Sequence, residues 1–286
     1  MTTRAVHLSL VVPIHHCEGS LNVLRHELDD FLARAPEPME VVLVDDHGTH
    51  PDAAAELRRL AQRRNVRLLR NDRNRGKGYS VARGMLASTG AYRVFTDADL
   101  AYPLDQVWKI VAALERGADV AIASRVHPES VYTMSARDLR YIYTRHVLSR
   151  MFNAIVRMTL IPDVRDTQAG LKGYSAAAAR AVFSRVSIAG FGFDVECLFI
   201  ARQLGLRVEQ VPVRYRYNDE PTTVRLLRDA KTMAADLARI RLRSWSGDYA
   251  VPRAPTNRAI TLAQHDLTST NGALATAPAE HHASTA

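Results

Sequence analysis

Residues 94–103 read V-F-T-D-A-D-L-A-Y-P. The apolar run over 92–95 predicts a short buried strand. It breaks off into two carboxylates, Asp97 and Asp99, with only Ala98 between them. On an extended chain residues i and i+2 project to one side, so a strand end can aim both acids at one point. Adjacent anions repel unless a cation lies between them, and a hard divalent ion bound through oxygen suits that role. A strand-end turn or a helix cap would also contain Asp-x-Asp. The flanking segments decide for a site.

Upstream, apolar runs over 8–13, 40–44 and 66–69 predict three further strands, and 119–123 predicts a fifth downstream. Helical periods fall between them over 21–32, 53–60, 79–86 and 104–114. Strands and helices alternating at this spacing predict an α/β domain built on a mostly parallel sheet. Ligands of such sheets bind at the carboxyl ends of the strands, where His15, Asp46, Asp97 and Ser124-Arg125 all fall. The loop N-R-G-K-G over 74–78 opens a helix. Its glycines let backbone approach a ligand, and Arg75 and Lys77 attract phosphate there. It is neither a P-loop nor a dinucleotide fingerprint, since Val81 stands where a third glycine would be.

Beyond residue 125 the pattern changes. A long helix is expected over 137–159, with an apolar face and interspersed arginines. A polar loop is expected over 163–174. F-G-F-D-V-E-C-L-F follows over 191–199, placing Asp194 and Glu196 among aromatics, where a carboxylate is costly unless paired or functional. Residues 207–217 alternate as one strand, and 224–245 as a last amphipathic helix. Both long helices could lie in a membrane interface or pack on the core. The residues after about 252 lose periodicity, giving an ordered domain over 1–250 and a disordered low-complexity tail over 251–286.

The chain has 286 residues, 47% hydrophobic and 24% charged, as ordinary globular proteins do. Its two cysteines, Cys17 and Cys197, make neither a disulfide framework nor a metal spacing, which fits a reducing cytosol. No leader and no membrane-spanning run is expected. The formal charge is +8, and residues 137–157 (five Arg, one Asp) and 225–243 (five Arg, one Lys, two Asp) each carry +4 of it. Such surfaces attract anionic lipid or phosphorylated substrates. Nothing interleaves aromatic and basic residues as nucleic-acid-binding modules do, so no nucleic acid is expected.

In order and spacing, V-V-P with His15 two residues on, V-L-V-D-D, N-R-G-K-G, T-D-A-D-L, A-S-R, R-D-T-Q-A-G-L-K and F-D-V-E-C-L resemble the family 2 inverting glycosyltransferases of GT-A fold. The chain looks most like the polyprenyl-phosphate sugar transferases, the dolichyl-phosphate glucose and mannose synthases. R-D-T-Q-A-G-L-K over 165–172 is similar to the glucose synthase branch. The resemblance spans about 8–245. It departs at His15-His16-Cys17, at His47, and around Thr222-Thr223-Val224.

The resemblance implies a Rossmann-like nucleotide-binding sheet and a C-terminal amphipathic helix. It implies a nucleotide sugar held by Pro13, His15, Asp45, Asp46, Lys77, Asp97 and Gln168, UDP-glucose being favoured over GDP-mannose. Asp99, with Asp97, would ligate Mg²⁺ or Mn²⁺ at the diphosphate, and Arg125 and Arg145 would meet the acceptor phosphate. Catalysis would rest on Asp97, Asp99, Arg125 and Arg145. The implied acceptor is a polyprenyl phosphate, met by a peripheral protein at the cytosolic membrane face. Still open are a soluble hydroxyl acceptor, with Asp194, Glu196 or Asp166 as base, and a silent relative that only binds a nucleotide sugar.

Overall fold

The computed structural model describes residues 5–16, 19, 21–133, 150–190, 192–216 and 226–250. In chain order the elements are β1 Leu8–Ile14, α1 Leu21–Ala33, β2 Met39–Asp45, α2 Pro51–Leu60, β3 Val66–Arg70, α3 Lys77–Ala87, β4 Tyr92–Phe95, α4 Gln106–Glu115, β5 Val120–Ser124 and β6 Val131–Thr133. Helical residues 150–159 form α5. Then come β7 Lys172–Ser175, α6 Ala176–Phe183, α7 Phe193–Gln203, β8 Val208–Pro212, β9 Arg214–Arg216 and α8 Leu226–Trp245.

Seven strands form the central sheet in the order β3-β2-β1-β4-β7-β5-β8. β1 pairs in parallel with β2 on one side and β4 on the other, with Leu10 opposite both Val41 and Val94. β7 runs antiparallel between β4 and β5, so the sheet is mixed there. Sides alternate along a strand, and β1 shows it. Leu8, Leu10, Val12 and Ile14 face a core shared with α1, α2 and α4. Val11 faces the opposite core, shared with α3, α6 and α7. A strand buried on both sides must be apolar at nearly every position, which is why the runs were legible. Truncating one such side chain, for example Leu43→Ala, costs about 2–5 kcal/mol.

Three expectations are corrected. The polar loop over 163–174 ends as strand β7, because Lys172 is buried against an acid and Gly173 leaves room for α4. The single strand over 207–217 breaks after Pro212: β8 completes the main sheet, and β9 pairs with β6 in a second, two-stranded sheet. Residues 193–203, left unassigned by periodicity, are a helix. Of the long helix expected over 137–159, residues 137–149 lie outside the described residues, Arg145 among them, as do Cys17, Thr222-Thr223-Val224 and the expected tail. Among the described residues no helix is long and apolar enough to cross a membrane.

Candidate active site

The carboxyl ends of β1, β2, β4 and β5 open on one edge of the sheet, where the strand order turns outward from β1 to β2 on one side and β4 on the other. A crevice at such a switch point is the usual ligand site of an open α/β sheet.

On the β1–β2 side, the two acids expected to hold a nucleotide are buried and already bonded. Asp45 accepts from Thr49 Oγ1 at 2.7 Å, and its other oxygen lies 3.3 Å from Arg70 Nε. Asp46 accepts from Asn71 Nδ2 at 2.6 Å and from the backbone N–H groups of Arg75 and Gly76, both at 2.8 Å. Asp46 therefore holds the N-R-G-K-G loop in place. His15 is exposed; its Nδ1 lies 2.9 Å from the His47 carbonyl, its Nε2 lies 3.1 Å from Asn74 Nδ2, and its ring lies tilted against His16. Pro13 lies one residue before the end of β1, opposite Val44. The His47-Gly48 turn takes left-handed backbone at both residues. Sequence reasoning missed Asn71, which also bonds Ser80 and accepts from Arg83.

Gly76 caps α3 with φ 90°, and a Cβ there would sit 2.5 Å from the Ala189 carbonyl. Only glycine fits so close an approach. The loop thereby presents Lys77, whose Nζ lies 2.6 Å from Asp97 Oδ1. Burial lowers the Lys77 pKa, but Asp97, Asp194 and Asp99 outweigh it and the net shift is upward. The ammonium stays charged.

Asp97 and Asp99 lie not on extended chain but on a turn after β4, closed by Leu100 N–H donating to the Asp97 carbonyl. Leu100 has φ 49°, and Asp99 Oδ1 accepts from Ala101 N at 3.0 Å. Gly170, in the R-D-T-Q-A-G segment, comes so close that a Cβ would lie 2.1 Å from Asp97 Oδ2. The donor set here is carboxylate oxygen alone, which suits a hard ion such as Mg²⁺ or Mn²⁺. Among the described residues no three His, Cys, Asp or Glu side chains group closely enough to hold a metal. An ion on Asp99 would complete its shell from phosphate oxygens and water, as Mg²⁺ characteristically does. The residues present fit that ion.

On the β5 side Asp166 takes Arg125 through both Nε and Nη2, each at 2.8 Å, and also its backbone N–H. Burial raises the Asp166 pKa, but Arg125 outweighs it and holds the carboxyl below its ordinary range. Lys172 is fully buried and donates to Asp194 and to the Ala169 carbonyl. Glu196, also fully buried, accepts from Ser187, the Ile188 N–H, Tyr249 and Arg243, the last at 2.5 Å. Each carboxylate that could have served as a base has its own cation. Sequence reasoning named the three acids but missed Lys172 and Arg243 as partners. Gln168 is half-buried between Thr167 and Ala169.

The family model for glycosyl transferase family 2 matches residues 9–183. The dolichyl-phosphate beta-glucosyltransferase of Saccharomyces cerevisiae is 28% identical over 261 residues, 85% of this chain and 77% of that protein. That of Mus musculus is 30% identical over 256 residues, again 85% and 77%. Among solved structures, glucosyl-3-phosphoglycerate synthase from Mycobacterium tuberculosis with Mn²⁺, UDP-glucose and phosphoglyceric acid superposes with TM-score 0.56 at 18% identity. It covers 87% of this chain and 82% of its own, and at that identity it speaks for the fold alone.

Proposed function

We propose that this chain, which belongs to glycosyl transferase family 2 and is a glycosyltransferase, moves a glucosyl group from UDP-glucose to a polyprenyl phosphate at the cytosolic face of a membrane. One observation carries the choice of acceptor: Asp166, Asp194 and Glu196 are neutralised by Arg125, Lys172 and Arg243. Transfer to a neutral hydroxyl needs a group free to take its proton. A phosphate monoester is already ionised near neutral pH and brings its own nucleophilic oxygen. The names of the relatives that cover 85% of the chain support the same acceptor and sugar.

In this reading an acceptor phosphate oxygen attacks the anomeric carbon in line, the bond from that carbon to the diphosphate oxygen breaks, UDP leaves, and configuration inverts. The protein's part is positioning and electrostatics. Pro13, His15 and Gln168 frame the nucleotide, and Asp45 and Asp46 do so through the loops they hold. Lys77 meets the diphosphate, and Arg125 turns its Nη1 edge to the acceptor, with Arg145 assigned the same partner. Asp99, beside Asp97, would hold Mg²⁺ or Mn²⁺, which supplies Lewis-acid stabilisation of the leaving diphosphate when bound.

The membrane is met by an apolar face. Met151, Ile155 and Met158 stand on one side of α5 at helical spacing and are exposed, Met158 by 79%. Arg150 and Arg157 are exposed on the same helix. Arg241 of α8 donates to the Thr159 carbonyl, so the two helices meet where Leu242 and Trp245 are also exposed. Apolar side chains beside arginines suit a headgroup layer. The inner side of α8 docks on the core through Ile240 and Arg243.

The test is transfer from UDP-glucose with Mn²⁺ to a polyprenyl phosphate and, separately, to its free alcohol, with GDP-mannose as a second donor. Product with the phosphate alone is expected. Comparable transfer to the alcohol would overturn the acceptor assignment, and a preference for GDP-mannose the donor assignment.

A further inference from the structure

Tyr102 closes the D-x-D-L-A-Y stretch, and no role assigned above uses it. Its ring is fixed on two sides: it packs edge-on against Tyr215 of β9 with centroids 5.1 Å apart, and Arg216 N–H donates to the neighbouring Ala101 carbonyl at 2.8 Å. Tyr215 in turn lies under the Arg125 guanidinium at 5.6 Å, and the Tyr132 hydroxyl of β6 donates to the Arg125 carbonyl. Tyr215 and Tyr132 thus flank Arg125 at its side chain and its backbone, and Tyr102 packs on Tyr215. The residue is only 2% exposed, yet its hydroxyl is one of three buried side-chain polar atoms among the described residues with no hydrogen-bond partner. Burying a hydroxyl without a partner is costly, and phenylalanine would fill the same space without that cost.

The surroundings define what could bind. Burial drives the phenol well above its ordinary range, and the pull of Arg125 does not reverse it. Tyr102 is therefore a neutral donor throughout the physiological range. Arg125 commits Nε and Nη2 to Asp166, which leaves its Nη1 edge for another anion. A neutral O–H donor and a guanidinium edge that share the Tyr215 ring as neighbour match a phosphate, which has several oxygens and accepts from both.

We propose that the Tyr102 hydroxyl is a binding group for the acceptor, donating to one oxygen of its phosphate while Arg125 Nη1 meets another. This rests on the phosphate-acceptor reading and adds a residue to it. Because the hydroxyl has no hydrogen-bond partner among the described residues, removing it costs the fold little and costs the ligand one hydrogen bond.

The experiment compares wild type, Tyr102→Phe and Tyr174→Phe in the full chain with UDP and Mn²⁺ present. The probes are a short isoprenyl monophosphate and inorganic phosphate, with binding read by calorimetry and folding by thermal unfolding. Tyr174 carries another fully buried hydroxyl, in the opposite core and beside the Cys197 thiol, and serves as a packing control. The expected result is isoprenyl monophosphate binding weakened about tenfold or more in Tyr102→Phe, with an unchanged or higher melting temperature, unchanged UDP affinity, and Tyr174→Phe like wild type. Inorganic phosphate should bind more weakly than the isoprenyl probe; equal affinity would support the phosphate contact and overturn the lipid as its source. Wild-type affinity in Tyr102→Phe would overturn the Tyr102 assignment and leave the acceptor reading standing. No binding of either probe to wild type would overturn both. A marked loss of stability in Tyr102→Phe, or equal weakening in Tyr174→Phe, would show a packing role and overturn the assignment.

Discussion

Lys77 Nζ lies 2.6 Å from Asp97 Oδ1, so one ion pair joins the loop that opens α3 to the turn that follows β4. The two stretches lie about twenty residues apart, and each is shaped for the contact: Gly76 by its positive φ, Asp97 by the close backbone of Gly170. In the proposed transfer a cation held there would face the charge that grows on the leaving diphosphate. Lys77→Met should lower kcat/KM for UDP-glucose by roughly 10- to 100-fold, the loss of one charge-assisted hydrogen bond. Steady-state kinetics with varied donor check it.

Metal dependence is predicted by the proposed placement of Mg²⁺ or Mn²⁺ on Asp99, beside Asp97. In wild type, Mn²⁺ should increase the rise in melting temperature that UDP produces, because a ligand of the folded state stabilises by mass action. In Asp99→Ala that added rise should vanish, and chelator should abolish transfer in wild type. Thermal unfolding with and without Mn²⁺ reads the first, and product formation the second.

The Asp166–Arg125 pair is a stability element with a pH signature. Breaking a buried pair by removing one partner costs about 3 kcal/mol, so Asp166→Asn should lose roughly that in urea unfolding. Burial pushes Asp166 upward and Arg125 pulls it down further. For Glu40, burial is likewise outweighed by hydrogen bonds from Ser9, Thr89 and Arg67. Folded values below the unfolded ones mean that the contribution is complete above about pH 4–5 and is lost as pH falls through the depressed values. The urea midpoint should fall as pH is lowered from 6 to 3, and less so in Asp166→Asn.

The exposed faces of α5 and α8 give a prediction separable from folding. Met151→Asp, Met158→Asp and Trp245→Ser change exposed side chains, so stability should stay within about 0.5 kcal/mol. Co-sedimentation with anionic vesicles should fall markedly, and added salt should weaken wild-type binding as well.

How far the sequence reveals this molecule depends on whether the cause of each element is local. β1, β2 and β5 were legible because strands buried on both sides are nearly continuous apolar runs, and β3 and β4 because each still carries three apolar or aromatic residues. K-G-Y-S of β7 has no such run: its lysine is buried only because Asp194 lies across from it. α7 was invisible to periodicity because nine of its eleven residues are buried, so it has no polar face to define a period. The break between β8 and β9 fell within an alternation of valines and tyrosines that continues across it. At the site, Asp97, Asp99 and Lys77 were read from short motifs. The pairing of Arg125, Lys172 and Arg243 with acids 41, 22 and 47 residues away was not. Asp46 was expected at the nucleotide, and in the structure its carboxylate is taken up by Asn71 and the backbone of Arg75 and Gly76.

A nucleophile that arrives already ionised leaves its signature in the pH dependence of kcat/KM for the polyprenyl phosphate. One rise with an apparent pKa of about 6, that of a phosphate monoester's second ionisation, is expected in the same place in wild type and in Asp194→Asn. A limb that moves or disappears in Asp194→Asn would mean that a carboxylate of the protein takes the proton, and would contradict prior ionisation of the nucleophile.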